Sequence, residues 1–157
     1  MSIIVGYKMS SKKKTYHNPL STKQEKVARS FLEPNKSLFV WAIRSDKIDW
    51  EHSKFGFNEI VLDTFSKIIK PKLDSYCSMK WTEVDQKESC HPFDVVKIDK
   101  ELRDRLLELH PQNTPETLYQ IKLDSTHRIW GYREGSIFYL LFNDPLHEGY
   151  KVKKKHT

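Results

Sequence analysis

The chain has 157 residues, 38% of them hydrophobic, with four Trp, seven Tyr and eight Phe. That is enough for one aromatic-rich core and excludes both a second full domain and a wholly disordered chain. A formal net charge of +6 and a pI of about 9.2 point to an acidic partner, nucleic acid or an acidic protein; no apolar run approaches the length of a membrane span.

Part of the excess charge lies near the two ends, at Lys12-Lys13-Lys14 and at Lys151, Lys153, Lys154 and Lys155. Residues 1–20 read as a flexible basic arm, and 21–157 as a single α+β domain. Residues 21–32 fit a short helix with Val27, Phe31 and Leu32 on one side, ended by Glu33-Pro34-Asn35. The apolar run 37–44, with Phe39, Val40, Trp41 and Ile43, predicts a buried strand. After a polar connection, Asn58 is placed to cap a helix over 59–70. Early Glu59 and Asp63 and late Lys67 and Lys70 suit the helix dipole. Pro71 is expected to stop or kink that helix, with 73–79 as a second helical piece. Residues 81–96 mix charges with Cys90, His91-Pro92 and Phe93, and read mostly as loop. Asp99 predicts the cap of a helix through Leu109, striped by Leu102, Leu106 and Leu109; Pro111 and Pro115 follow it.

Cys77 and Cys90 form no CxxC and no disulfide framework. With no secretory signal, they imply a reducing, cytoplasmic setting. A zinc site from Cys77, Cys90 and His91 would have three ligands at irregular spacing, so two buried structural thiols fit better. There is no Gly-rich phosphate loop and no HExxH, and the reading calls for no cofactor and no metal.

The last third changes to strands at 118–123, 127–132 and 136–142. Glu134-Gly135 suits a tight hairpin turn with Arg133 facing Ser136, which would set Trp130 opposite Tyr139 and Gly131 opposite Phe138. Across the first loop, Lys122 faces Arg128 and Gln120 faces Trp130. Alternation then gathers Ile121, Leu123, Ile129, Phe138, Leu140 and Phe142 on a core face. Gln120, Lys122, Arg128, Trp130, Tyr132 and Tyr139 form the other face, expected to be open. The bland reading of that face is a solvated sheet surface with a stabilising aromatic pair. The functional reading is that cations beside flat aromatics suit a phosphodiester and a stacked base. Beyond the Asp144-Pro145 turn, His147 is a candidate general acid or base, with Tyr150 nearby in sequence.

The run Leu-Tyr-Gln-Ile-Lys-Leu, then His-Arg-Ile-Trp-Gly-Tyr, a Gly turn, Ile-Phe-Tyr-Leu-Leu-Phe and His-Glu-Gly-Tyr-Lys resembles the C-terminal half of RelE/ParE-type toxins. The resemblance covers about a third of the chain. It implies an antiparallel meander packed on one face by two or three helices. It also implies a toxin that cleaves mRNA, including on the ribosome, or inhibits DNA gyrase, and that is held by an antitoxin. Arg128 matches the phosphate-contacting arginine, Lys122 the preceding basic position, and His147 and Tyr150 the terminal block. A second, wider resemblance is to small uncharacterised bacterial proteins with Met-x-Trp, His-Pro and Asp-Pro-x-His blocks, here Met79-Lys80-Trp81, His91-Pro92 and Asp144 to His147.

Together these assign Lys122 and Arg128 to the scissile phosphate, Arg128 and Arg133 to transition-state charge, and His147 or Tyr150 to proton transfer. Trp130 or Tyr139 would stack a base, with Gln120, Lys151 and Lys153 as further RNA contacts and His91 and Trp81 as secondary candidates. The alternative is a non-catalytic binder of the same fold, acting on a host target or serving in a defence complex.

Overall fold

A computed structural model describes residues 33–150, apart from the side chains of 59–61. The expected arm, the helix over 21–32, Lys151 and Lys153 lie outside them. The architecture is α+β. Strands β1 (Val40–Ile43), β2 (Cys90–Asp94), β3 (Thr117–Lys122), β4 (Arg128–Glu134) and β5 (Ile137–Asp144) form one sheet in the order β1-β5-β4-β3-β2. β1 runs parallel to β5, and the other pairs are antiparallel.

Helices α1 (Glu59–Thr64) and α2 (Lys70–Tyr76) are joined without a break by a π-helical turn, Phe65–Ile69. Pro71 therefore does not stop the helix. It has no N–H to donate and its ring crowds the preceding turn; the wider turn, in which Lys70 N–H donates to Phe65 O, lets the chain pass it. Ile69, Leu73 and Tyr76 then pack with Phe39, Trp81, Ile121, Ile129, Phe138 and Leu140 in the first core. Cys90 is buried in that core, as expected, but Cys77 is exposed.

The segment expected to be loop is instead structured. Short α3 (Trp81–Val84) seats Trp81 in the first core, and β2 closes the sheet edge against β3. Pro92 hides this strand from a pattern reading. It is tolerated because β2 is an edge strand, where a missing N–H leaves no ladder bond unmade.

The β3–β4 register is the expected one, with Gln120 opposite Trp130 and Lys122 opposite Arg128. The β4–β5 hairpin is not. Its turn is Gly135-Ser136, with Gly135 at φ 62, so Glu134 faces Ile137 and Tyr132 faces Tyr139. A bulge between Trp130 and Gly131 then puts Trp130 opposite Phe142, which turns Phe142 to the second face. Gly131 still meets Phe138: a Cβ there would lie 2.4 Å from Phe138 Cζ.

The largest departure concerns the second face, which is not open. Helix α4 (Lys100–Leu109), capped by Asp99 accepting from Glu101 N–H, lays Leu102 and Leu106 over it. With Phe55, Val95, Ile98, Leu118, Trp130, Tyr132, Leu141 and Phe142 they make a second core. The segment between β1 and α1 helps close it. Buried Asp49 accepts from Arg105 Nε at 2.7 Å and Nη2 at 3.1 Å, tying that segment to α4. No helix among the described residues is long and apolar enough to cross a membrane.

Candidate functional site

Pairing across the sheet sets Lys122 opposite Arg128 and Arg128 opposite Asp144, so three charged residues lie side by side at one end of the sheet. The chain leaves β5 through Pro145 and is drawn straight back by Asp144. One carboxylate oxygen accepts Glu148 N–H at 2.8 Å; the other accepts Gly149 N–H at 2.9 Å and Trp130 Nε1–H at 3.0 Å. Closing this loop holds His147 at φ 56, the one non-glycine positive φ among the described residues. A side chain in that region costs about 1–2 kcal/mol, and such strain concentrates at functional positions.

The His147 ring is half-buried beside these charges. Burial pushes its pKa below the ordinary histidine value; the Arg128 and Lys122 cations push the same way, and Asp144 opposes them. His147 is therefore mostly neutral near pH 7, a proton acceptor facing two cations.

Arg128 is 7% exposed. Its Nη1 donates to Asp124 O at 2.7 Å and His127 O at 3.0 Å, and its Nη2 to Ser125 O at 3.3 Å. Burial lowers its pKa, yet a guanidinium stays charged. Arg128 thus laces the β3–β4 loop and keeps Nε–H and one Nη2–H without an acceptor among the described residues. The loop is stiffened further by Asp124, which accepts Thr126 and His127 N–H, and by the His127 Nε2–Asn143 Oδ1 contact of 2.6 Å. Lys122 is exposed and free to reach a ligand.

Three of the residues expected from sequence, Lys122, Arg128 and His147, are thus brought together. The others lie elsewhere. Trp130 is wholly buried, so no base can stack on it, and Gln120 is buried beside it. Tyr150 packs on Phe93 at 4.5 Å in the second core. Tyr139 stacks on Tyr132 at 5.1 Å. Arg133 lies 4.1 Å over the ring of buried Trp81, whose Nε1 donates to Ser136 O. His91 is exposed on edge strand β2, opposite Gln120. Asp144, the organiser of the loop, reads in the sequence only as a turn residue before proline. Its signal is the carboxylate followed by backbone N–H groups four and five residues on. Among the described residues no group of three or more His, Cys, Asp or Glu could hold a metal ion. Burial pushes the Cys90 thiol up to about 12.

Residues 49–157 match the model of the family described as Uncharacterised protein UU032, and the chain belongs to that family. The match takes in β2 to β5, α1 to α4 and the whole Lys122–Arg128–His147 end. No curated protein and no solved structure matches the chain.

Proposed function

We propose that the protein is a toxin-like endoribonuclease that needs no metal, acts on mRNA in the cytoplasm and is held in check by a partner protein. The observation that carries this reading is the convergence of Lys122, Arg128 and a neutral His147, whose backbone is strained, at one end of the sheet. His147 would take the proton from a ribose 2′-OH. The freed oxygen would attack phosphorus, forming a 2′,3′-cyclic phosphate as the P–O5′ bond breaks, and the leaving 5′-oxygen would take a proton from water. Lys122 would hold a phosphate oxygen, and the spare Arg128 N–H groups would stabilise the charge that grows there.

A second reading, a non-catalytic binder, is favoured by the engagement of Arg128 with its own loop and by the burial of Trp130. Because Arg128 holds the loop, its removal confounds folding with function; Lys122 and His147 are the cleaner test. Purified wild type, His147→Ala and Lys122→Met are incubated with mRNA in excess EDTA, with binding and cleavage followed together. The nuclease reading expects 2′,3′-cyclic ends, a loss of about 10²–10⁴-fold in His147→Ala and retained binding. RNA that is bound but never cut, or cleavage that survives His147→Ala, assigns the protein to the binder class.

A further inference from the structure

The opposite end of β4 opens into a different cleft, of about 630 Å³. Tyr132 and Glu134 line it, four and six residues along the strand from Arg128, so it lies about 13–20 Å away at ~3.3 Å per residue. His110, just past the end of α4, sits in its wall. His110 is 4% exposed, its ring lies edge-on to Tyr132 at 5.4 Å, and its Nε2 has no hydrogen-bond partner among the described residues. A buried ring nitrogen nearly always has a partner, so this one is open to a water or a ligand group.

Two cations stand on the same wall. Arg44 shares Asp46 as an ion pair at 3.4 Å, whereas Lys47 donates only to Leu109 O and has no carboxylate among the described residues. Burial, then Lys47 and Arg44, hold the His110 pKa below its ordinary value, which leaves a neutral ring able to donate or accept. An adjoining cleft of about 480 Å³ shares Asn113, Tyr132 and Glu134 and adds Arg133, whose Nη2 is a second buried nitrogen without a partner. His110 thus lines the first cleft and Arg133 the second, and the two clefts share a wall.

We propose that the paired clefts bind a nucleoside monophosphate, with Lys47, Arg44 and His110 on the phosphate and Asn113 and Glu134 on the base edge. Cations at one end suit the phosphate dianion. An amide and a carboxylate at the other suit the N–H and C=O groups of a base. Asp46 also lines the cleft but is taken up by Arg44, which leaves Lys47 as the cation there without a carboxylate among the described residues. The volume is that of an ordinary small-ligand pocket. The nucleotide is either free or the 5′-phosphorylated end of an RNA strand.

The test is a titration of the full chain with AMP, GMP, CMP, UMP, the four nucleosides and inorganic phosphate, read by calorimetry and by the His110 ring signals in NMR spectra. It does not depend on whether Lys122 and His147 cut RNA, because the readout is binding at His110. At least one nucleotide is expected to shift the His110 signals and to bind at least tenfold more tightly than its nucleoside or phosphate alone. Lys47→Met should weaken it at least tenfold, and Asn113→Ala should change the ranking of bases. A 5′-phosphorylated tetranucleotide that binds more tightly than the free nucleotide assigns the site to strand ends, and the reverse order to the free nucleotide. His110 signals that no nucleotide moves at millimolar concentration, phosphate that binds as well as any nucleotide, or affinity untouched by Lys47→Met would each overturn the proposal.

Discussion

The two faces of the sheet are built from the same three C-terminal strands, yet they are buried by different chemistry. The first face is aliphatic and aromatic but for Cys90 and the Arg133 guanidinium laid over Trp81, and α2 and Trp81 cover it as apolar surfaces pack anywhere. The second mixes Trp130, Tyr132, Gln120 and Arg128, and it is closed by α4 and the 44–57 segment only because most of its polar groups find partners. Trp130 Nε1 has Asp144, Arg128 has three loop carbonyls, and Asp49 has Arg105. A face that reads as polar is thus no guarantee of exposure; hydrogen bonds supplied from distant residues can sink it.

Trp130→Ala tests that comparison most severely. A wholly buried Trp should cost about 3–5 kcal/mol, whereas a Trp on an open face would cost well under ~1 kcal/mol; urea denaturation separates the two. Asp49→Ala removes one half of the clamp over the second face and should cost about 3 kcal/mol, the low end for a buried pair because Arg105 retains some solvent. Burial raises the Asp49 pKa, but Arg105 and the His52 and Glu51 N–H groups more than offset it, so the folded value lies below the ordinary 3.8. Its contribution is therefore fully present above that value and is lost as pH falls through the lower folded one. Acid unfolding of the wild type should steepen there, and in Asp49→Ala that step should be missing.

Asp144→Ala strands Trp130 Nε1 and two backbone N–H groups and should cost about 1–3 kcal/mol, with the loss reported by near-ultraviolet circular dichroism of Trp130. His147→Gly has the smallest effect and the opposite sign. It relieves the positive φ and should leave stability equal or higher by up to about 1 kcal/mol, while the proposed cleavage is lost. A variant that gains stability and loses activity would show that this position gives up stability to place its imidazole.

Much of this was legible in the chain. The β3–β4 pairing follows from alternation across a short loop, and the α4 cap and stripe follow from Asp99, Leu102 and Leu106. The β4–β5 register was not, because the turn sits one residue later, at Gly135-Ser136, and the Trp130/Gly131 bulge then adds a residue that no period-two pattern can announce. Strand β2 was masked by Pro92 and its flanking charges. The covering of the second face depends on partners far away in sequence, such as Asp49 with Arg105. At the candidate site, Lys122 and Arg128 were readable as a cross-strand pair. The place of His147 beside them was not, because it rests on Asp144 recapturing the loop.

The most direct measurement is the pH–rate profile of RNA cleavage in EDTA for wild type, Lys122→Met and His147→Ala. With His147 as base, the rate should rise with pH through a value below the ordinary histidine 6.5 and then level off. Lys122→Met removes a cation that depresses that value, so its rising limb should move to higher pH, and His147→Ala should lose the limb altogether. No cleavage by the wild type, or a limb indifferent to both substitutions, would contradict the account.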